Sequence, residues 1–453
     1  MSERLSALDA TFLELEQEDP SAHMHIGGLL TFDPRPDGSI PSLDELIGHL
    51  GDRLAELPRY RQRLSDTRVH GLRFPHWETD REIDLREHVT RAALPAPGGE
   101  RELLEWLSEY WSHRLDRTRP LWDMVLLEEL DGGRWALANR THHCMVDGVG
   151  SIDVSYALLD ATPEPEMRPP SVPARGNGRG LAESVARALR PRAIPDLIAR
   201  SRAAAEVLIR DELMPAPATS LNDSIGTLRR IDVVRFDLAD LKAIKNRLGG
   251  TINDVVLAAC SGGLRALLLG RREALPQRGL RAMVPVNIRS AGEQLRLGNR
   301  ISSLFAHLPV AEPDPLARYA QVIDETDRLK SGREALGTKT VLDVTALAPP
   351  ALHAALARTL FARRLFNVTI TNVPGPPMTL YCRGARLREI RGLVPIAAFH
   401  ALGIAILSYD GTVTFTINAA RSAVPDLDVL RGGIESAIDD LQWLAQGSIP
   451  VAW

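Results

Sequence analysis

Two stretches of the chain can be laid over each other without a gap. Residues 130–147, LDGGRWALANRTHHCMVD, align with residues 409–426, YDGTVTFTINAARSAVPD. Asp131-Gly132 then falls on Asp410-Gly411, Asn139 on Asn418 and Asp147 on Asp426. Each copy reads as a tight turn, an apolar strand and the entry to a helix. A chain carrying this unit twice is held to an α/β fold with two similar halves. Its 453 residues fit two or three domains of about 100–200 residues each. In this register His142 and His143 meet Arg421 and Ser422, so one copy alone carries the imidazoles.

The rest of the chain divides accordingly. Residues 1–160 form a first mixed α and β unit. Ser6-Ala7-Leu8-Asp9 opens a short helix. Further helices are predicted over Ser42–Leu57 and from Glu100 to Leu115. Strands are predicted over His23–Phe32, Trp122–Leu130 and Trp135–Thr141, and a helix over Ile152–Leu159. Residues 161–228 begin with a Pro-, Gly- and Arg-rich run and read as a crossover linker with helical stretches. Residues 229–453 form the second unit. Its strands are predicted at Ile231–Phe236, Arg281–Ile288, Ser302–Val310, Asn367–Thr371, Ala401–Ser408 and Thr412–Asn418. Its helices are predicted at Ile252–Leu269, Pro315–Lys330, Pro350–Arg364 and Asp426–Leu444.

Composition excludes several classes. A net charge of -4 lacks the basic excess of a nucleic-acid binder, and 44% hydrophobic with 25% charged residues is ordinary for a globular chain. Cys144, Cys260 and Cys382 are too scattered for a disulfide framework or a zinc site, which fits a reducing compartment. The acidic N-terminus does not read as a signal peptide. No uncharged apolar run approaches the roughly 18 residues of a spanning helix. Gly176-Asn177-Gly178-Arg179-Gly180 follows no strand and lacks a full phosphate-loop fingerprint. Ala259-Cys260-Ser261-Gly262-Gly263 lacks the first glycine of a hydrolase elbow.

The stretch that can carry chemistry is His142-His143-Cys144-Met145-Val146-Asp147-Gly148. A histidine at the end of a strand can shuttle protons near neutral pH. Asp147 can return to the same turn to pair with backbone or an arginine, and Gly148 admits a conformation denied to other residues. Cys144 raises the alternative of a thiolate nucleophile with a neighbouring histidine. Adjacent strand residues face opposite ways, which disfavours that pairing. Asn253-Asp254 opens a helix and by itself reads as a cap region. Pro120-Leu121-Trp122 by itself reads as the start of a core strand.

HHxxxDG is the signature of the CoA-dependent acyltransferase superfamily. More closely, the chain resembles the bacterial wax ester synthase/diacylglycerol acyltransferase family. LSALDATFLELE, HMHIGGLLTFD, Pro120-Leu121-Trp122, the TINDVVLA run from Thr251, Thr371-Asn372-Val373-Pro374-Gly375-Pro376 and Ser408-Tyr409-Asp410-Gly411 all match its pattern. The resemblance implies two chloramphenicol-acetyltransferase-like domains of mixed sheet plus helices, joined by the crossover, with the active-site channel at their interface. It implies an acyl-CoA-dependent O-acyltransferase that acylates diacylglycerol, a long-chain alcohol, or both. Acyl-CoA is then a co-substrate, with no metal or other cofactor. By the same resemblance His143 is the general base and His142 a structural neighbour more than a second base. Asp147 holds the loop through an arginine in preference to a His–Asp dyad, and Gly148 shapes the turn. Asn253 offers an amide to a developing oxyanion, Asp254 orients the surroundings, and Pro120, Leu121 and Trp122 shape a substrate pocket.

Two other readings of the site stand beside it: a condensation-type enzyme with a carrier-bound donor, and a non-catalytic lipid-binding member. Between Arg168 and Arg202 eight arginines face two acids. That stretch is either a solvated linker or a contact for anionic headgroups, at about 1 kcal/mol per basic residue. The resemblance places the protein in the cytoplasm, peripherally attached to the membrane or lipid inclusions.

Overall fold

Local sequence signals set the ends of several elements in the computed structural model, which describes residues 3–65, 75–145, 157–164, 215–287, 301–336 and 365–447. The first half begins with β1 (Glu3–Arg4) and α1 (Ala7–Glu18), and the Ser6 hydroxyl accepts the Asp9 N–H to cap α1. After β2 (His25–Phe32) comes α2 (Leu43–Leu54), started by a reciprocal Ser42–Glu45 capping box. β3 (Gln62–Leu64), β4 (His76–Thr79) and β5 (Val89–Ala93) lead to α3 (Glu100–Trp111). The half closes with β6 (Trp122–Leu130) and β7 (Arg134–His142).

The second half runs through β8 (Arg229–Asp237), α4 (Leu238–Leu248) and α5 (Ile252–Gly270). Then follow β9 (Leu280–Asn287), β10 (Ile301–Leu308), α6 (Pro315–Leu336) and β11 (Val368–Pro374). β12 (Tyr381–Cys382), β13 (Ala385–Leu393), β14 (Leu402–Tyr409), β15 (Thr412–Ala420) and α7 (Leu427–Ala445) complete it. The expected Pro350–Arg364 helix lies outside the described residues, as do most of Ile152–Leu159 and most of the 161–228 crossover.

The internal repeat is a repeat of topology. One six-stranded sheet is ordered β12-β13-β2-β7-β6-β5 and the other β10-β9-β11-β14-β15-β8. Each contains the same four-strand block, β2-β7-β6-β5 in one and β8-β15-β14-β11 in the other. In both, two antiparallel junctions are followed by a parallel one. A single offset carries the pairs Asp123↔Arg140 and Leu127↔Ala136 onto Leu402↔Ala419 and Ile406↔Phe415. The gapless alignment therefore reflects equal hairpin registers.

β13, which sequence patterning left unassigned, leaves the second half and pairs with β2 in the first sheet. A register shift between Leu387 and Glu389 breaks its period of two, and four of its nine residues are charged. Those charges have partners at the seam: Arg391 bonds Glu100 and Glu389, and Arg235 bonds Glu389. A β-carbon at Gly28 would lie 2.0 Å from the Arg391 carbonyl oxygen, so only glycine lets β13 come this close.

α3 closes the seam from one side. Ser108 and Ser112 accept the N–H groups of Ile231 and Arg229, covering the open edge of β8. Leu103, Leu107 and Trp111 of α3 pack there with Leu29, Ile231 and Leu393.

α5 fills the second core. It is long and apolar enough to cross a membrane by length and composition, with a mean hydropathy of 1.5, yet it is largely buried inside the fold. It crosses α7 at Gly262, Gly263 and Gly433. A β-carbon on Gly263 would stand 2.5 Å from Ile434 Cγ1 and 2.9 Å from the Leu430 carbonyl oxygen. Gly263→Val should therefore cost about 1–3 kcal/mol by overpacking. Urea unfolding would read this as a lower midpoint at unchanged slope; an unaltered midpoint would show that the helices have room to part.

Candidate active site

β7 delivers two histidines to its C-terminal end, and they land in different surroundings. His142 still pairs with His25 of β2, and its N–H donates to the Leu121 carbonyl. His143 begins the following turn, with its N–H donating to Met24 and the Met145 N–H donating back to His142. His142 is fully buried, whereas His143 is only half-buried. The alternation of the strand thus separates the rings, as its geometry requires.

Two residues of α1 receive them. Phe12 stacks face to face on His143, with ring centroids 3.9 Å apart and planes 8° apart. Glu16, four residues on and therefore on the same helix face, places Oε2 2.9 Å from His142 Nε2. The Cys144 N–H donates to His142 Nδ1 at 3.1 Å. That nitrogen must then be bare, so the ring proton sits on Nε2 and points at Glu16. Arg114 Nε donates to Glu16 at 3.1 Å, and His25 Nε2 stands 3.9 Å away.

Burial of Glu16 by itself would raise its pKa. The hydrogen bond with His142 and the attraction of His142, His25 and Arg114 outweigh it and hold the carboxyl well below its usual range. Burial dominates at the other two imidazoles of the cluster, pushing His23 down to about 4 and His25 well below its ordinary value. Neither Phe12 nor Glu16 was singled out from the sequence. Their only signal is the four-residue spacing inside LDATFLELE.

Pro120, Leu121 and Trp122 are buried at the start of β6. Trp122 lies against His88 and Tyr60, and its indole N–H donates to the Tyr60 carbonyl at 2.8 Å. It edges a cavity of about 160 Å³ with Leu54, Ile83 and Leu85. Leu121 acts on the histidines through its backbone, by accepting the His142 N–H. Asp147 and Gly148 lie outside the described residues.

The second half builds a separate group. Thr251 and Asp254 form a capping box at the start of α5, and Asp254 also accepts the Thr326 hydroxyl at 2.7 Å. Asp254 is buried in this set. Asn253 is half-buried, and its Oδ1 accepts from Asn372 of β11 at 3.3 Å. The Asn-Asp and Thr-Asn-Val-Pro-Gly-Pro strings therefore meet in space. Gly375 is required next to them, since a β-carbon there would fall 2.0 Å from the Ser408 carbonyl oxygen.

Cys144 is buried in the first core, and burial pushes its thiol well above the usual range. A neutral, enclosed thiol is a poor nucleophile, so the covalent alternative fails. Ser261 is enclosed within α5 and shows no exposed elbow.

Residues 5–256 match the wax ester synthase/diacylglycerol acyltransferase catalytic domain, and residues 297–442 match the WS/DGAT C-terminal domain. The chain belongs to the wax ester synthase/diacylglycerol acyltransferase family. It is 33% identical over 445 residues to a putative diacylglycerol O-acyltransferase of Mycobacterium bovis, covering 96% of this chain and 94% of that one. A probable diacylglycerol O-acyltransferase of Mycobacterium tuberculosis shows the same identity and coverage. The wax ester synthase/diacylglycerol acyltransferase of Marinobacter aquaeolei VT8 superposes with a TM-score of 0.73 at 28% identity, covering 98% of this chain and all of that one. A starter condensation domain of rhizomide synthetase shares the fold, with a TM-score of 0.65 at 16% identity over the whole of this chain and 98% of that one. The protein is thus an acyltransferase with the two-domain chloramphenicol-acetyltransferase-like architecture.

The buried imidazoles give this family member a pH signature. His23 and His400, both held near 4 by burial, stay neutral in the fold but bind protons below about 6.5 once unfolded. Their contribution is complete above about 6.5 and is lost as the pH falls toward 4. The urea midpoint should drop across that window, and His400→Gln should flatten the drop. An equal drop in the variant would remove His400 from the account.

Proposed function

We propose that the protein transfers a long-chain fatty acyl group from acyl-CoA to the hydroxyl of diacylglycerol or of a long-chain alcohol, with His143 as the general base. The observation that carries this reading is the division between the two histidines. One is buried and hydrogen-bonded to Glu16; the other is half-buried and stacked on an aromatic ring.

His143 takes the proton from the acceptor hydroxyl as its oxygen attacks the thioester carbonyl. The new C–O bond forms, and the tetrahedral intermediate breaks its C–S bond. The imidazolium returns the proton to the departing CoA thiolate, giving ester and CoA. Positioned proton transfer of this kind contributes about 10²–10⁴-fold. Asn253, held by Asn372, supplies an amide to the oxyanion. Long-chain substrates partition into bilayers, so the protein works attached peripherally to the cytoplasmic face of the membrane or to lipid inclusions. The Arg168–Arg202 stretch, outside the described residues, is the proposed contact.

Purified protein with palmitoyl-CoA and either dioleoylglycerol or hexadecanol should release CoA and form the ester with at least one acceptor. His143→Ala should lose at least about 100-fold of that rate with its fold intact. Absence of ester with both acceptors would refute the substrate reading. Full activity in the alanine variant would refute the base.

A further inference from the structure

Glu16 is buried, far in sequence from the histidine signature, and takes no part in the proton transfer itself. Its partners form one hydrogen-bonded series: Arg114 to Glu16, Glu16 to His142 Nε2, and His142 Nδ1 to the Cys144 N–H. The last link is the amide immediately following His143. The amide of His143 itself is pinned to Met24, and the Met145 N–H is pinned to His142. The backbone just after His143 is therefore tied to the His142 ring through the Cys144 N–H, and the ring is tied to Glu16. Phe12, on the same face of α1, fixes the plane of the His143 ring.

The ring of His142 can hold the Cys144 N–H only while Nδ1 is bare. The alternative neutral tautomer would put a hydrogen on Nδ1 opposite another donor and leave Nε2 without one for the carboxylate. We infer that Glu16 is a positioning residue for acyl transfer: by accepting His142 Nε2–H it selects the tautomer whose Nδ1 anchors the turn that aims His143. This rests on the reading of His143 as the base. Glu16 does not touch substrate, and its effect falls on the turnover step rather than on substrate capture. Residues outside a signature commonly orient an imidazole in this way.

Glu16→Leu removes the acceptor, while Glu16→Gln keeps an oxygen able to accept the same hydrogen. With palmitoyl-CoA and dioleoylglycerol, E16L should lose about 10–100-fold in kcat while KM for palmitoyl-CoA stays within about twofold. E16Q should retain at least about a third of wild-type kcat. Wild-type turnover in folded E16L, or an equal loss in both variants, would overturn the role. Should E16L fail to fold, ¹⁵N-histidine NMR of the wild-type protein decides. The His142 signals, assigned by their loss in His142→Asn, should show a neutral ring protonated at Nε2 at pH 7. A proton on Nδ1 there would overturn the proposal. A wild-type protein that releases no CoA would refute the acyl-transfer reading, and the NMR result would still stand or fall by itself.

Discussion

The turn carrying His143 depends on one helix at the start of the chain. α1 presents Phe12 and Glu16 on a single face, and these two side chains meet the two consecutive histidines that leave β7. Phe12 packs against both main cores, so the helix lies where the halves join. The Glu16–His142 contact is buried on both sides. A buried pair of this kind is weak evidence for net stability, but removing one partner commonly costs about 3–5 kcal/mol because the other is left without its complement. What such a pair fixes is geometry, and here the geometry fixed is that of a turn.

The second constraint is the exchange of β13. A duplicated α/β unit would by itself give two independent lobes. The structure instead sends one strand of the second half into the first sheet, where Gly28 allows close approach and the Arg391, Glu389, Arg235 and Glu100 set satisfies the charges carried along. The Ser108 and Ser112 caps on β8 close the same seam. The halves are thereby locked in the relation that lets α1 span them.

Much of this was legible in the sequence. Apolar strands such as Trp122–Leu130 and helices with a capping signal, such as the one after Ser42, announce themselves by period and cap chemistry. The repeated hairpin even carries its register. β13 escaped because a bulge and four charges erase alternation, and those charges make sense only beside residues nearly 300 positions away. At the site, the histidines and the Asn-Asp pair are visible as residue types on predicted elements. The roles of Phe12 and Glu16 are not, since a phenylalanine and a glutamate four apart on a helix ordinarily belong to a core stripe and a solvated face. Leu121 shows a third kind of invisibility, contributing through a carbonyl that every residue type possesses.

The most direct test of the arrangement is the reactivity of individual histidines toward diethyl pyrocarbonate, mapped by mass spectrometry of peptides and followed alongside acyltransferase activity. The rate of inactivation should equal the rate of carbethoxylation of His143, while His25 and His142 remain unmodified in the folded protein. Activity that survives complete modification of His143, or that declines in step with another histidine, would contradict the account.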